Sequence, residues 1–138
     1  MKKTTILDLI SRKLAPFMLL FGFYLLAYGH MSPGGGFQGG VVISSGVILL
    51  FVAQGVKAAE SLFPFSALSM TETVAFFLLL TAGVAGILAG IGFLGNPVAR
   101  ADVQTVPRAG MILVFNLLIG IKVGAGVSLI CMHLFREE

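Results

Sequence analysis

Residues 109–135 read AGMILVFNLLIGIKVGAGVSLICMHLF, and between Met111 and Met132 the only charged side chain is Lys122. A helix of about 20 apolar residues crosses the roughly 30 Å hydrocarbon core of a bilayer. The run has that length and lacks the period-2 alternation of a barrel strand, so it predicts a transmembrane helix. Lys122 lies at its midpoint. At 1.5 Å per residue either end is roughly 20 Å away, beyond the reach of a snorkelling lysine. An ammonium at mid-bilayer costs about 2.5–3.5 kcal/mol even on the forgiving insertion scale. The charge therefore demands company: a carboxylate, backbone carbonyls, water, or loss of its proton.

Three further apolar runs precede this one, giving spans of about 6–29, 37–57, 72–94 and 108–135. The fold class predicted is an all-α integral membrane protein of four transmembrane helices. The first run is short unless its polar lead-in is helical too, and Thr5 with Asp8 resembles a capping pair that would start the helix there. Ser69-Met70-Thr71-Glu72 fits a capping box opening the third helix, and Pro107 suits the first turn of the fourth. The stretch from Lys57 to Thr73, with Pro64 inside it, reads as a polar connection. Four spans put both termini on one side. With that side cytoplasmic, Lys2, Lys3, Arg12, Lys13, Lys57 and Arg136 lie inside and Arg100 and Arg108 outside, as the positive-inside rule requires. The expected location is thus the prokaryotic cell membrane, with both termini cytoplasmic.

Composition agrees. Of 138 residues 57% are hydrophobic and 11% charged, against about 25% charged in soluble domains, and the mean hydropathy is +1.02. Lipid must be the solvent for most of such a chain. The net charge of +3 bears on membrane sidedness and gives no reason to expect nucleic acid. One cysteine, Cys131, allows neither an internal disulfide nor a zinc or iron–sulfur ligand set. Lys2 and Lys3 before an apolar run resemble a secretory signal, but Asp8, Arg12 and Lys13 interrupt the pattern. With no tryptophan, Tyr24, Tyr28 and several Phe are the available interfacial anchors.

Few side chains can carry chemistry. The stretch Gly29-His30-Met31-Ser32-Pro33-Gly34-Gly35-Gly36-Phe37-Gln38-Gly39-Gly40 joins the first two spans. Proline fixes its own backbone and the glycines free theirs, so a sharp turn leads straight into a helix. Two readings stand: a tight hairpin with close backbone packing, or exposed amides at a helix N-terminus that bind an anion. The turn lacks the Gly-Lys-Ser/Thr ending of a Walker A loop, and no strand precedes it as in a dinucleotide fingerprint. Gly36/Gly40, Gly86/Gly90 and Gly120/Gly124 are small residues four apart, which let helices approach closely in lipid.

Lys122 reads either as part of a proton or ion relay or as a structural pair. Asn116, six residues away, is poorly aligned with it. Glu72 is placed near an interface, so a partner from another subunit is the better expectation for Lys122. Glu72 itself reads as a cap or as a residue at a cytoplasmic ion entry. His30 titrates near neutral pH or is simply a solvated loop residue, and His133 reads as an interfacial anchor. Gln38, Ser45 and Gln54 are expected to hydrogen-bond across helices. The sequence has no Ser-His-Asp set, no HExxH and no CxxC, so catalytic residues and resident cofactors are not expected. A small proton-coupled exporter would need a membrane-embedded carboxylate, and none reads as deep enough.

The glycine turn carries a resemblance. A His, a short spacer, Pro-Gly-Gly-Gly-Phe and a following Gly-Gly pair, between the first two of four spans, is similar to the MrpB/MnhB family, the B-type component of multisubunit Mrp sodium/proton antiporters. Chain length and the lone lysine of the last span are also similar. The resemblance implies a non-catalytic subunit that supports assembly and translocation of Na+ and H+, among small membrane subunits and large antiporter-like ones. It implies functional weight for Pro33 and Phe37. The same subunit type is reused beside redox arms in membrane-bound hydrogenases and sulfane-sulfur reductases, which would add hydrogenase-like partners. A purely structural, lipid-sealing subunit is the third expectation. On these readings Phe37 packs at a subunit interface, and Gly35→Val disturbs assembly.

Overall fold

A computed structural model describes residues 5–29, 31, 34–95 and 110–136. The described residues form five helices: α1 (Thr5–Tyr28), α2 (Gly36–Gln54), α3 (Val56–Leu62), α4 (Phe65–Leu88) and α5 (Met111–Arg136). Four of them, α1, α2, α4 and α5, are long and apolar enough to cross a membrane. The protein is thus an all-α, multi-pass membrane protein.

Local chemistry explains most of the boundaries. Pro16 sits inside α1 without ending it, and membrane helices tolerate such a break when neighbours re-satisfy the backbone. Gly55, at φ 83°, stops α2 and turns the chain into α3, its N–H donating to the Phe51 carbonyl at 3.0 Å. Residues 57–73 are therefore not the simple polar loop that their composition suggests. They contain most of α3 and the first turns of α4. Pro64, at φ −62° and ψ 139°, is extended and precedes α4 directly. The helix starts at Phe65, so Ser69–Glu72 is not a capping box but lies inside the helix. Proline sets the boundary, and Phe65, Ala67 and Leu68 continue the apolar face behind it.

The far end of α4 also differs from expectation. The helix stops at Leu88, short of residue 94. Gly90, at φ 70°, takes the left-handed position of a Schellman motif. The Ile91 N–H donates to the Gly86 carbonyl at 3.0 Å, and the Gly90 N–H to that of Ile87 at 2.9 Å. Gly86 and Gly90 are thus not a helix-packing pair: one accepts the capping bond and the other makes the turn. The chain then folds back and sets the Phe93 ring against Gly83. Pro107 lies outside the described residues.

The helices pack in the order α1, α2, α5, α4, with α2 and α5 central. Contacts of Gly22 with Gly39 and of Gly46 with Ala15 make α1 and α2 antiparallel. Gly36 meets Asn116 while Gly40 meets Gly120, so α2 and α5 run parallel. Both ends of the described chain therefore lie at one end of the bundle. That end holds the apolar core: Ala15, Val47, Leu50, Phe51, Ala59 and Met132. Arg136 ties α5 to α3 there through Glu60, at 3.2 Å.

Candidate functional site

The first part of the site is a seam of glycines. A Cβ at Gly36 would lie 2.5 Å from the Asn116 carbonyl oxygen, and one at Gly40 would lie 2.6 Å from that of Gly120. At Gly39 it would meet Leu26 Cδ2 at 2.6 Å and the Gly22 carbonyl oxygen at 3.0 Å. These positions accept no side chain, because helix backbones touch there. Gly36/Gly40 and Gly120/Gly124 are thus two halves of one contact between α2 and α5. Gly35 is different: a Cβ there would meet only Gln38 Oε1 at 3.5 Å and Asn116 Oδ1 at 3.9 Å. Within this chain a small side chain at Gly35 therefore meets no close obstacle. Gly34, at φ 138°, does need glycine for its backbone. This packing accounts for the motif as a close hairpin.

The second part is an ion pair between α4 and α5. Lys122 Nζ donates to Glu72 Oε1 at 2.9 Å, joining residues fifty positions apart. The same ammonium lies 5.6 Å from the centroid of the Phe76 ring, within cation–π range. Gly126, one turn beyond Lys122, makes the room: a Cβ there would already be 3.7 Å from Glu72 Cγ. Lys122 thus has a carboxylate partner within this chain, where the expectation was a partner from another subunit. Glu72 is not an interfacial cap. It stands seven residues inside α4, roughly 10 Å from the helix start, opposite the middle of α5. The premise that no carboxylate is deeply placed falls with it. The Glu72 charge is spoken for by Lys122, and among the described residues no cluster of His, Cys, Asp and Glu is arranged to hold a metal ion.

The pair is not sealed. The Lys122 and Glu72 side chains remain 34% and 30% exposed. Desolvation and mutual attraction nearly cancel in such pairs, so this one adds little net stability while intact. Losing one member is the costly event.

The other sequence-predicted residues are dispersed. Asn116 stands beside Gly35 and Gly36, at the start of α2 and away from Lys122. Phe37 is exposed among the described residues. His30 and Pro33 lie outside the described residues. Ser44 and Ser45 both donate to the Val41 carbonyl at 2.8 Å, and Ser128 to that of Gly124 at 2.7 Å. These hydroxyls bond back onto their own helices, and for Ser45 the expectation was a bond between helices. His133 meets Phe65 edge-on with ring centroids 5.0 Å apart, at the same end as Arg136. Sequence reasoning missed Phe76 and Gly126. Each lies four residues beyond a charged partner and so on the same helical stripe, a signal that is readable once the pair is known.

This architecture defines a class: a small polytopic membrane protein, glycine-packed on one side and held by a mid-depth ion pair on the other. Residues 6–129 match the family described as a domain related to the MnhB subunit of Na+/H+ antiporter, and the chain belongs to that MnhB family. Among similar proteins, the Na(+)/H(+) antiporter B subunit of Bacillus subtilis (strain 168) is 37% identical over 89 residues, 64% of this chain. The Na(+)/H(+) antiporter B subunit of Alkalihalophilus pseudofirmus is 32% identical over 91 residues, also 64% of this chain. An uncharacterized protein of Methanocaldococcus jannaschii is 31% identical over 141 aligned residues, 98% of this chain. The matched segments span 62%, 61% and 53% of those relatives' own lengths.

Proposed function

We propose that this chain is a non-catalytic subunit of a multisubunit Na+/H+ antiporter, working in the cytoplasmic membrane with both termini inside. Its partners on this reading are the other Mrp-type subunits, large and small. Na+ and H+ are cargo, and no resident cofactor is needed. Family membership supports the setting. The observation that carries the reading is the Lys122–Glu72 pair, 2.9 Å apart, at mid-depth and one-third exposed. A proton delivered to Glu72 would cancel the carboxylate charge and loosen its hold on the ammonium. The pair can therefore answer to a passing ion, whereas a sealed pair could not.

The test is Na+-dependent proton movement in everted membrane vesicles, with Lys122→Ala compared to the parent at equal yield of assembled complex. Reduced antiport at normal complex yield is the expected result. Unchanged antiport would take the pair off the ion path and leave an assembly role. That structural reading has its own support, since the charges neutralise each other within the chain, and it expects Lys122→Met with Glu72→Met to be tolerated. Use of the same protein in a redox-driven membrane arm would change its neighbours and none of its residues. Hydrogenase-like subunits in a mass-spectrometric list of co-purifying proteins would favour that setting.

A further inference from the structure

The open side of the ion pair has a definite shape. Glu72, Phe76 and Leu80 follow one another at intervals of four along α4, and Lys122, Gly126 and Ile130 do so along α5. Spacing of that kind draws one stripe down each helix. The helices are antiparallel, so the stripes cross at the charges. Phe76 and Leu80 flank the pair on one side and Ile130 on the other, and these three are 45%, 43% and 62% exposed. The half-buried Gly126 seats the Glu72 side chain, whose Cγ would be 3.7 Å from a Cβ there. The result is a charged centre with an apolar rim, at a depth where hydrocarbon would otherwise lie.

Lipid tails cannot complete this surface. Lys122 Nζ has three donors and spends one on Glu72 Oε1. Among the described residues no other group bonds to that ammonium or to the second carboxylate oxygen of Glu72. Polar groups left unsatisfied in hydrocarbon cost several kcal/mol each. A third charge is also a poor completion. The pair is already neutral, and a permanently held third charge, unlike a proton in transit, would restore a lasting net charge at mid-membrane. A neutral side chain that both donates and accepts satisfies the leftover groups without that penalty.

We propose that this face docks a transmembrane helix of a neighbouring protein that sets an uncharged hydrogen-bonding side chain (Ser, Thr, Asn or Gln) against the Lys122–Glu72 pair. The inference rests on the reading that the chain works within an assembly, and it names the partner's chemistry at one place. A charged centre ringed by apolar contacts and covered on docking is also the arrangement in which interface residues contribute most.

The test is photo-crosslinking in the assembled complex in native membranes. A benzophenone amino acid replaces Phe76 in one variant and Ile130 in another, with Phe17, which is 68% exposed on α1, as the control position. Expected from Phe76 and Ile130 is a shift to the summed mass of this chain and one partner protein. The partner's cross-linked peptide should come from a membrane span and carry Ser, Thr, Asn or Gln near the attachment point. Three results would overturn the proposal: lipid adducts alone at both positions, a cross-linked span whose only polar residue there is charged, or modification of Gly126→Cys by a membrane-impermeant thiol reagent in a Cys131→Ser background, which would mark a water-filled crevice. Antiport is measured in the same membranes. A cross-link without antiport in the parent complex sinks the functional reading and leaves the docking face. Antiport with lipid adducts alone does the reverse.

Discussion

Helices α2 and α4 are almost equally apolar, yet 50% of the most apolar stretch of α2 is buried within the chain and only 17% of that of α4. Hydropathy therefore does not say which helix is central. Glycine placement does. Helix α2 carries Gly36, Gly39, Gly40 and Gly46 along its length, whereas α4 has only Gly83 and Gly86, near its far end. Lipid is as apolar as leucine, so burial in a membrane follows from how closely backbones can approach. The first contact is steric and continuous. The second is held at mid-depth by one ion pair, one ring and the fit of Glu72 over Gly126, and near the start of α4 by Phe65 against His133, and it leaves α4 mostly to lipid or to other subunits.

The contrast is most directly destroyed at the seam. Gly40→Val places a branched side chain where even a Cβ would lie 2.6 Å from a backbone oxygen. Neither helix can yield locally, so the expected loss is about 3 kcal/mol or more, read as a fall in thermal unfolding midpoint in detergent. A midpoint equal to the parent's would show that the α2–α5 contact is looser than described.

Lys122→Ala comes next. It strands Glu72, whose side chain is 30% exposed, so the loss should be about 2 kcal/mol, below the full mid-bilayer cost of a charge. Pairing the change with Glu72→Gln should recover most of it in the same assay. A double variant as unstable as the single one would mean that the stranded Glu72 charge is not the source of the loss.

Smaller effects refine the contrast. Arg136→Ala removes an ion pair whose side chains are 49% and 27% exposed, and should cost about 0.2–1 kcal/mol in chemical denaturation. Gly35→Ala should be almost silent, within about 0.5 kcal/mol, because it sits beside the seam and not in it. A large effect there, in the isolated chain, would move the seam one residue toward the turn.

Much of this was legible in the sequence for a plain reason. A span is a local property, and length with apolarity marks four of them without knowledge of their neighbours. Gly36, Gly40, Gly120 and Gly124 were also legible as close-packing residues. The Ser69–Glu72 capping pattern misled because it is a local signal that Pro64 overrides a turn earlier. Gly86/Gly90 misled because the spacing that suits helix contact also suits a helix end followed by its left-handed turn. Taking Glu72 for a cap placed it too near the membrane surface, and that hid the carboxylate that pairs with Lys122 among the described residues.

Residue order alone establishes that this protein lives in a membrane as four helices, and that a lysine halfway along the last must be answered by something polar. Those conclusions need only the bilayer's thickness and the cost of a bare charge within it. Which group answers, and which helix is innermost, were settled only in three dimensions. Both depend on the register and rotation of one helix against another, and no window of residues read along a single chain contains that information.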